Sequence, residues 1–156
     1  MGFVDKTPEG RYRAYFRDPA GKQRSKTFRI KKDATAFLAE METTKTRGTY
    51  VSPHAGRLAF GEHARRWMAT WNTEQTTAAR DRSIMNTHVL PRWGDVALGK
   101  IDDMGLQEWV TALGHQRSRA TVAEALRLTG AVLRSAVRNR LIPFNPADEV
   151  RIPRAR

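Results

Sequence analysis

Apolar and polar positions alternate along the first 30 residues. In GRYRAYFRD, Tyr12, Ala14 and Phe16 fall on one side, while Arg11, Arg13, Tyr15 and Arg17 fall on the other. That is the two-residue period of a strand. Pro19 and Gly21 in DPAGK supply turn chemistry. In QRSKTFRI, Phe28 and Ile30 share one face, and Ser25, Thr27 and Arg29 share the opposite one. The pattern predicts a hairpin with one apolar side and one basic, hydroxyl-bearing side. Residues 3–6 add a candidate third strand. The period then lengthens. Ala34, Phe37, Leu38 and Met41 recur at helical spacing in KKDATAFLAEMETTKTRG. Asp33 sits near the start of this helix and Lys45 and Arg47 near its end, as the helix dipole favours, and Gly48 is a natural stop. The predicted first domain is α+β, a two- or three-stranded antiparallel sheet with one helix on its apolar face.

Residues 49–57, TYVSPHAGR, place Pro53 and Gly56 between two helical patterns and read as a linker. The domains are therefore expected at 1–48 and 58–156. The second reads as helical throughout. FGEHARRWMATW buries Phe60, Ala64, Trp67, Met68 and Trp71. TTAARDRSIMNTHVL forms a second helix, capped by Thr76 and halted around PRWG. In DVALGKI, Val96, Leu98 and Ile101 anchor a connector to the core. DDMGLQEWVTALG is a third helix, capped by Asp102 or Asp103, with Leu106, Trp109, Val110 and Leu113 inside. SRATVAEALRLTGAVLRSAVRNR is the fourth and longest. Its stripe is Val122, Ala125, Leu126, Thr129, Val132, Leu133, Ala136 and Val137, and LIPFNP breaks it. Four helices with short connections predict a small bundle.

Charge changes this picture more than composition does. The 156 residues carry a net charge of +12, and the pI is about 11.0. A folded, strongly basic protein most often meets a polyanion, with nucleic acid before an anionic membrane surface. No apolar run approaches the roughly 18 residues of a spanning helix, and the N-terminus does not read as a signal peptide. Cysteine is absent, which removes disulfides, thiol catalysis and cysteine-based zinc sites and fits a reducing cytoplasm. Residues 11–32 hold nine Lys or Arg against one acid, Asp18. A solvated sheet face usually mixes both signs, whereas the polar face of this hairpin reads as basic alone. A two-stranded ribbon fits the DNA major groove, so Arg11, Arg13, Tyr15, Arg17, Ser25, Thr27 and Arg29 are the candidate contacts of the first domain. In the second, Thr76, Thr77 and Arg80 crowd one helix start, and Arg117, Arg119 and Thr121 another, where free N–H groups also favour phosphate. Arg127, Arg134 and Arg138 fall on one side of the fourth helix. Both segments are positive. Residues 1–57 hold 13 basic and 6 acidic side chains, and residues 58–156 hold 15 and 10. One polyanion strand could pass both.

Three stretches together resemble the non-catalytic part of the phage-type integrases, the tyrosine recombinases. GRYRAYFRDPAGKQRSKTFRIKKDATAFL resembles the arm-binding domain. TTAARDRSIMNTHVLPRWGDVALGKIDDMGLQEWVTAL and SRATVAEALRLTGAVLRSAVRNRLIPFNPADEVRIP resemble the helical, SAM-like core-binding domain. LPRWG, AVRNRLIPFNP and their spacing are the most specific features. The resemblance implies that the sheet domain binds arm-type sites flanking the crossover. It also implies that the helical domain clamps the core site, with its second and fourth helices in the major groove. Double-stranded DNA and other integrase protomers are the implied partners, and a phage- or mobile-element-encoded protein in a bacterial cytoplasm the implied setting. The family's catalytic domain, with its Tyr nucleophile, would follow VRIPRAR. Tyr12, Tyr15 and Tyr50 lie in the wrong part of the chain for that role, so the chain reads as a truncated or naturally shortened protein that binds without cutting.

The residues themselves carry no catalytic constellation. His54, His63, His88 and His115 are scattered without metal-ligand spacing. No carboxylate pair suits acid–base work, and the GxxxxGK phosphate loop is missing. No cofactor and no small-molecule substrate are expected. Two other readings compete. One is a regulator that represses or occludes through the same two domains. The other is an RNA-binding protein, which would more often show stacking aromatics on the sheet, where the pattern places only Tyr15.

Overall fold

The computed structural model describes residues 2–52, 54–72 and 74–154. The chain divides into two compact units, Met1–Ser52 and Pro53–Arg156. In the first, β1 (Phe3–Lys6), β2 (Tyr12–Arg17) and β3 (Gln23–Phe28) form an antiparallel sheet in the order β1-β2-β3. The candidate third strand is therefore present. The register sets Phe3 opposite Tyr15 and Asp5 opposite Arg13 on one side of β2, and Arg13 opposite Thr27 and Tyr15 opposite Ser25 on the other.

Helix α1 (Lys31–Thr46) covers one face of this sheet. Ala14, Phe16, Ala34, Phe37 and Tyr50 are buried there, and Val4, Tyr12, Phe28, Leu38 and Met41 pack around them. Phe16 meets Phe37 edge-on at 5.5 Å and Tyr50 at 6.1 Å. Ile30, expected on this apolar face beside Phe28, is 58% exposed, because the chain has already turned to become the N-cap of α1. Tyr50 corrects the predicted linker. It is a core residue of the first unit, and Ala55–Arg57 forms a 3-10 turn of the second. The boundary thus falls at Ser52–Pro53, where the proline and glycine signal was too diffuse to place it.

The second unit packs four helical rods among its described residues. They are α2 (Phe60–Ala69), a continuous rod from α3 (Gln75–Ile84) to α4 (Leu90–Trp93), α5 (Asp103–Gly114) and α6 (Arg119–Arg138). Between α3 and α4, Met85–Val89 widens into a π-helical turn. Pro91 has no N–H and would crowd the preceding carbonyls of a regular helix, and the wider turn accommodates it without a break. Thr76 is not the cap of α3. Glu74 holds that position without a side-chain bond, so Thr76 lies inside the first turn. Asp102 caps α5 through Gly105 N at 2.7 Å, and Ser118 caps α6 through Thr121 N at 3.2 Å. Gly61 lets α2 approach the end of α4, since an added Cβ would lie 2.8 Å from the Gly94 carbonyl. Helix α6 packs against α2, α3 and α5, so its buried arc exceeds the predicted stripe. Leu128 is fully buried, whereas Leu126 and Val137 are only partly so.

Candidate nucleic-acid interface

The sheet face opposite α1 carries Arg13, Tyr15 and Arg17 from β2 and Ser25 and Thr27 from β3, with Arg11 and Arg29 just outside the strands. All are exposed except Tyr15, which is partly covered. The covering group is Phe3, stacked on it at 4.8 Å. Arg13 Nε donates to Thr27 Oγ1 at 3.4 Å across the strands, and Arg17 Nη1 to the Gly21 carbonyl at 3.0 Å. These bonds hold the two guanidinium groups over the sheet and leave most of their donors unused.

The one acid of residues 11–32 does not face them. Asp18 is buried at the hairpin turn. Its carboxylate accepts from Lys22 N at 2.9 Å and from Arg24 Nε at 3.1 Å. Burial would raise its pKa, but these hydrogen bonds and the Arg24 charge outweigh it and hold the carboxyl below its ordinary value. Gly21, at φ +80, closes the same turn by donating its N–H to the Asp18 carbonyl. Asp18 is thus engaged within the turn by Lys22 N and Arg24 and forms no ion pair with Arg13 or Arg17. Lys26 points the other way and sits over the Phe28 and Phe37 rings. The face is not wholly cationic, however. Asp5 of β1 lies opposite Arg13 in register, although no ion pair joins them among the described residues. Phe3 and Asp5 lie on β1, outside the hairpin that supplies the predicted contacts. The alternation Phe3, Asp5 against Val4, Lys6 holds the signal.

In the second unit the candidates separate into free and engaged groups. Thr76, Thr77 and Arg80 are exposed on α3, and Arg134 is exposed on α6. Arg117 and Arg119 line one cleft beside Pro153 and Arg154, and Arg119 Nη1 donates to the Pro153 carbonyl at 2.6 Å. Thr121 is tied into the α6 cap through Ser118. Arg127 differs most from its expected role. Its Nη2 meets Asp81 at 3.0 Å and Glu124 at 2.8 Å, and these bonds outweigh partial burial to raise its pKa. It pins α6 to α3 instead of standing free beside Arg134. Arg127→Gln is expected to cost the second unit about 1 kcal/mol, the scale of a half-exposed ion-pair network, measured by denaturant unfolding. It should leave the salt dependence of any nucleic-acid binding unchanged.

Tyr50 does not fit an attacking role. Tyr50 is 5% exposed, and burial raises its pKa, the reverse of what activates a nucleophile. Among the described residues no group of His, Asp or Glu side chains could hold a metal ion, and no helix is long and apolar enough to cross a membrane.

The family model of the phage integrase N-terminal domain matches residues 1–47, and that of the phage integrase central domain matches residues 60–152. The chain belongs to the phage integrase family. No curated protein matches it. Among solved structures, an integrase-like domain from Bacillus cereus aligns with a TM-score of 0.60 at 24% identity, covering 64% of this chain and 87% of that one. A phage integrase SAM-like domain from Moorella thermoacetica aligns at 0.54 and 20% identity, covering 69% and 93%. A lambda integrase dimer bound to a COC' core site aligns at 0.59 and 17% identity, covering 98% of this chain but 45% of that one. The chain thus sets a three-stranded antiparallel sheet before a helical unit, with the SAM-like likeness carried by the Moorella domain and the alignment with lambda integrase running over both units.

Proposed function

We propose that this chain is the DNA-holding portion of an integrase. The open face of its sheet grips arm-type duplex sites, and the α3 and α6 surface of its second unit grips the core site. The observation that carries the reading is the exposed pair Arg13 and Arg17 on β2, joined by no ion pair among the described residues, on the face that also presents Thr27 opposite Arg13 and Ser25 opposite Tyr15. Three strands spaced by about 4.8 Å present a width of about 10 Å, which enters a major groove about 12 Å wide. Arg13 and Arg17 keep donors for guanine edges or phosphates, and Ser25 and Thr27 serve either. In the second unit, Thr76, Thr77, Arg80 and Arg134 supply the exposed donors, with Arg117 and Arg119 at the start of α6 suited to phosphate. Other integrase protomers on the same DNA are the proposed protein partners, in keeping with the lambda integrase dimer and tetramer bound to DNA. Cutting and rejoining are assigned to the family's catalytic domain, not to residues 1–156.

A second reading, a platform for single-stranded nucleic acid, draws on the Phe3–Tyr15 stack. The rings stack on each other instead of lying open side by side on the sheet, so the duplex reading is preferred. Footprinting on DNA from the gene's own neighbourhood tests it. Two separated protected patches are expected, one lost when residues 1–52 are deleted. A single patch that survives the deletion would contradict the two-site reading.

A further inference from the structure

A cleft of about 510 Å³ opens between α2 and the last turn of α6, well away from the sheet of the first unit in sequence and built within the second unit alone. His63 and Arg66 reach it from α2, and Ser135, Arg138 and Asn139 from the end of α6. Its floor is organised. His63 is 6% exposed and its Nε2 lies 3.2 Å from Ser135 Oγ, while Asn139 Nδ2 donates to the Ser135 carbonyl at 2.8 Å. Its rim is charged and uncompensated. Neither Arg66 nor Arg138 takes part in any of the ion pairs among the described residues. Glu62, one turn before Arg66, does not pair with it, and Arg134, one turn before Arg138, repels its neighbour. Two arginines thus line one cleft with a polar, hydrogen-bonded floor, a donor set suited to a phosphate oxygen.

We propose that this cleft binds a phosphate group, with Arg66 and Arg138 as its charged donors and the His63–Ser135–Asn139 chain as the support that holds α2 and α6 at the required separation. The site is independent of the sheet face and of the DNA reading, since a free phosphate ester and a backbone phosphate present the same oxygens. Burial first, and the Arg66 charge second, lower the His63 pKa, so at neutral pH the two arginines supply the positive charge.

Inorganic phosphate titrated into the full chain, followed by the Nε–H signals of Arg66 and Arg138, tests the proposal without DNA. Saturable shifts at both residues are expected, and sodium chloride at equal ionic strength should not reproduce them. Arg66→Gln and Arg138→Gln should each weaken binding by about tenfold, the scale of a lost charged hydrogen bond. Arg65→Gln, adjacent in sequence but outside the cleft, should leave it unchanged and so reports on folding. A duplex that displaces phosphate from the cleft identifies the occupant as a DNA backbone phosphate. A duplex that leaves the phosphate signals in place identifies a free phosphate ester. Absent shifts, shifts matched by chloride, or shifts that persist in both variants would overturn the site.

Discussion

Replacing Arg13, Arg17 and Arg29 together with Gln is expected to lower affinity for an arm-type duplex by about 100-fold or more, while core-type binding by residues 53–156 persists. Each base-reading arginine contributes about 1–3 kcal/mol, so three of them exceed two decades in Kd. The salt dependence should change in step. If the chain neutralises about six phosphates, its affinity drops roughly 10³-fold between 50 and 200 mM salt. The slope of log K against log salt becomes shallower by about one for each phosphate contact removed. Arg13 and Arg17 are held over the sheet by Thr27 and the Gly21 carbonyl, not by the hydrophobic core, so the variant keeps its fold. Persistence of both binding modes at full strength would mean that the arginine face does not touch DNA.

Phe16→Ala is expected to unfold the first unit while the second stays folded. Phe16 is 2% exposed and joins β2 to α1 and to Tyr50 through two edge-on ring contacts. Truncating such a side chain costs about 3–5 kcal/mol. A unit of some 50 residues has about 3–8 kcal/mol to lose, at 0.05–0.15 kcal/mol per residue, and small domains bury less of their surface than large ones. Heteronuclear spectra should show the signals of residues 2–52 collapse to unfolded positions with those of α2–α6 unmoved. An intact first unit would show that the sheet and helix are held by more than this cluster.

Period and turn chemistry made most of the architecture legible. The alternation around Ala14 and Phe16 and the 3.6-residue recurrence of Ala34, Phe37 and Leu38 specify a sheet with one covered face, because each pattern is set by what must be buried. Pairings across the chain were not legible in the same way. Nothing local to Arg127 announces Asp81, 46 residues earlier, so a side chain that reads as free on its own helix is a pin between two. Asp18 shows the converse. It counts as one acid among nine bases, but its carboxylate faces the turn and makes no ion pair with Arg13 or Arg17. Tyr50 looked like linker because the residues around it carry the turn signal, while its burial depends on Phe16, more than 30 positions away. The width of the buried arc on α6 likewise follows from tertiary packing rather than from local propensity.

The central claim is that the uncovered side of the sheet holds a duplex, and side-chain NMR of the full chain with DNA tests it most directly. On adding an arm-type duplex, the guanidinium signals of Arg13 and Arg17 and the hydroxyl-bearing residues Ser25 and Thr27 should shift together, with the outer surface of α1 unmoved. Shifts confined to α1, with those four residues silent, would contradict the account.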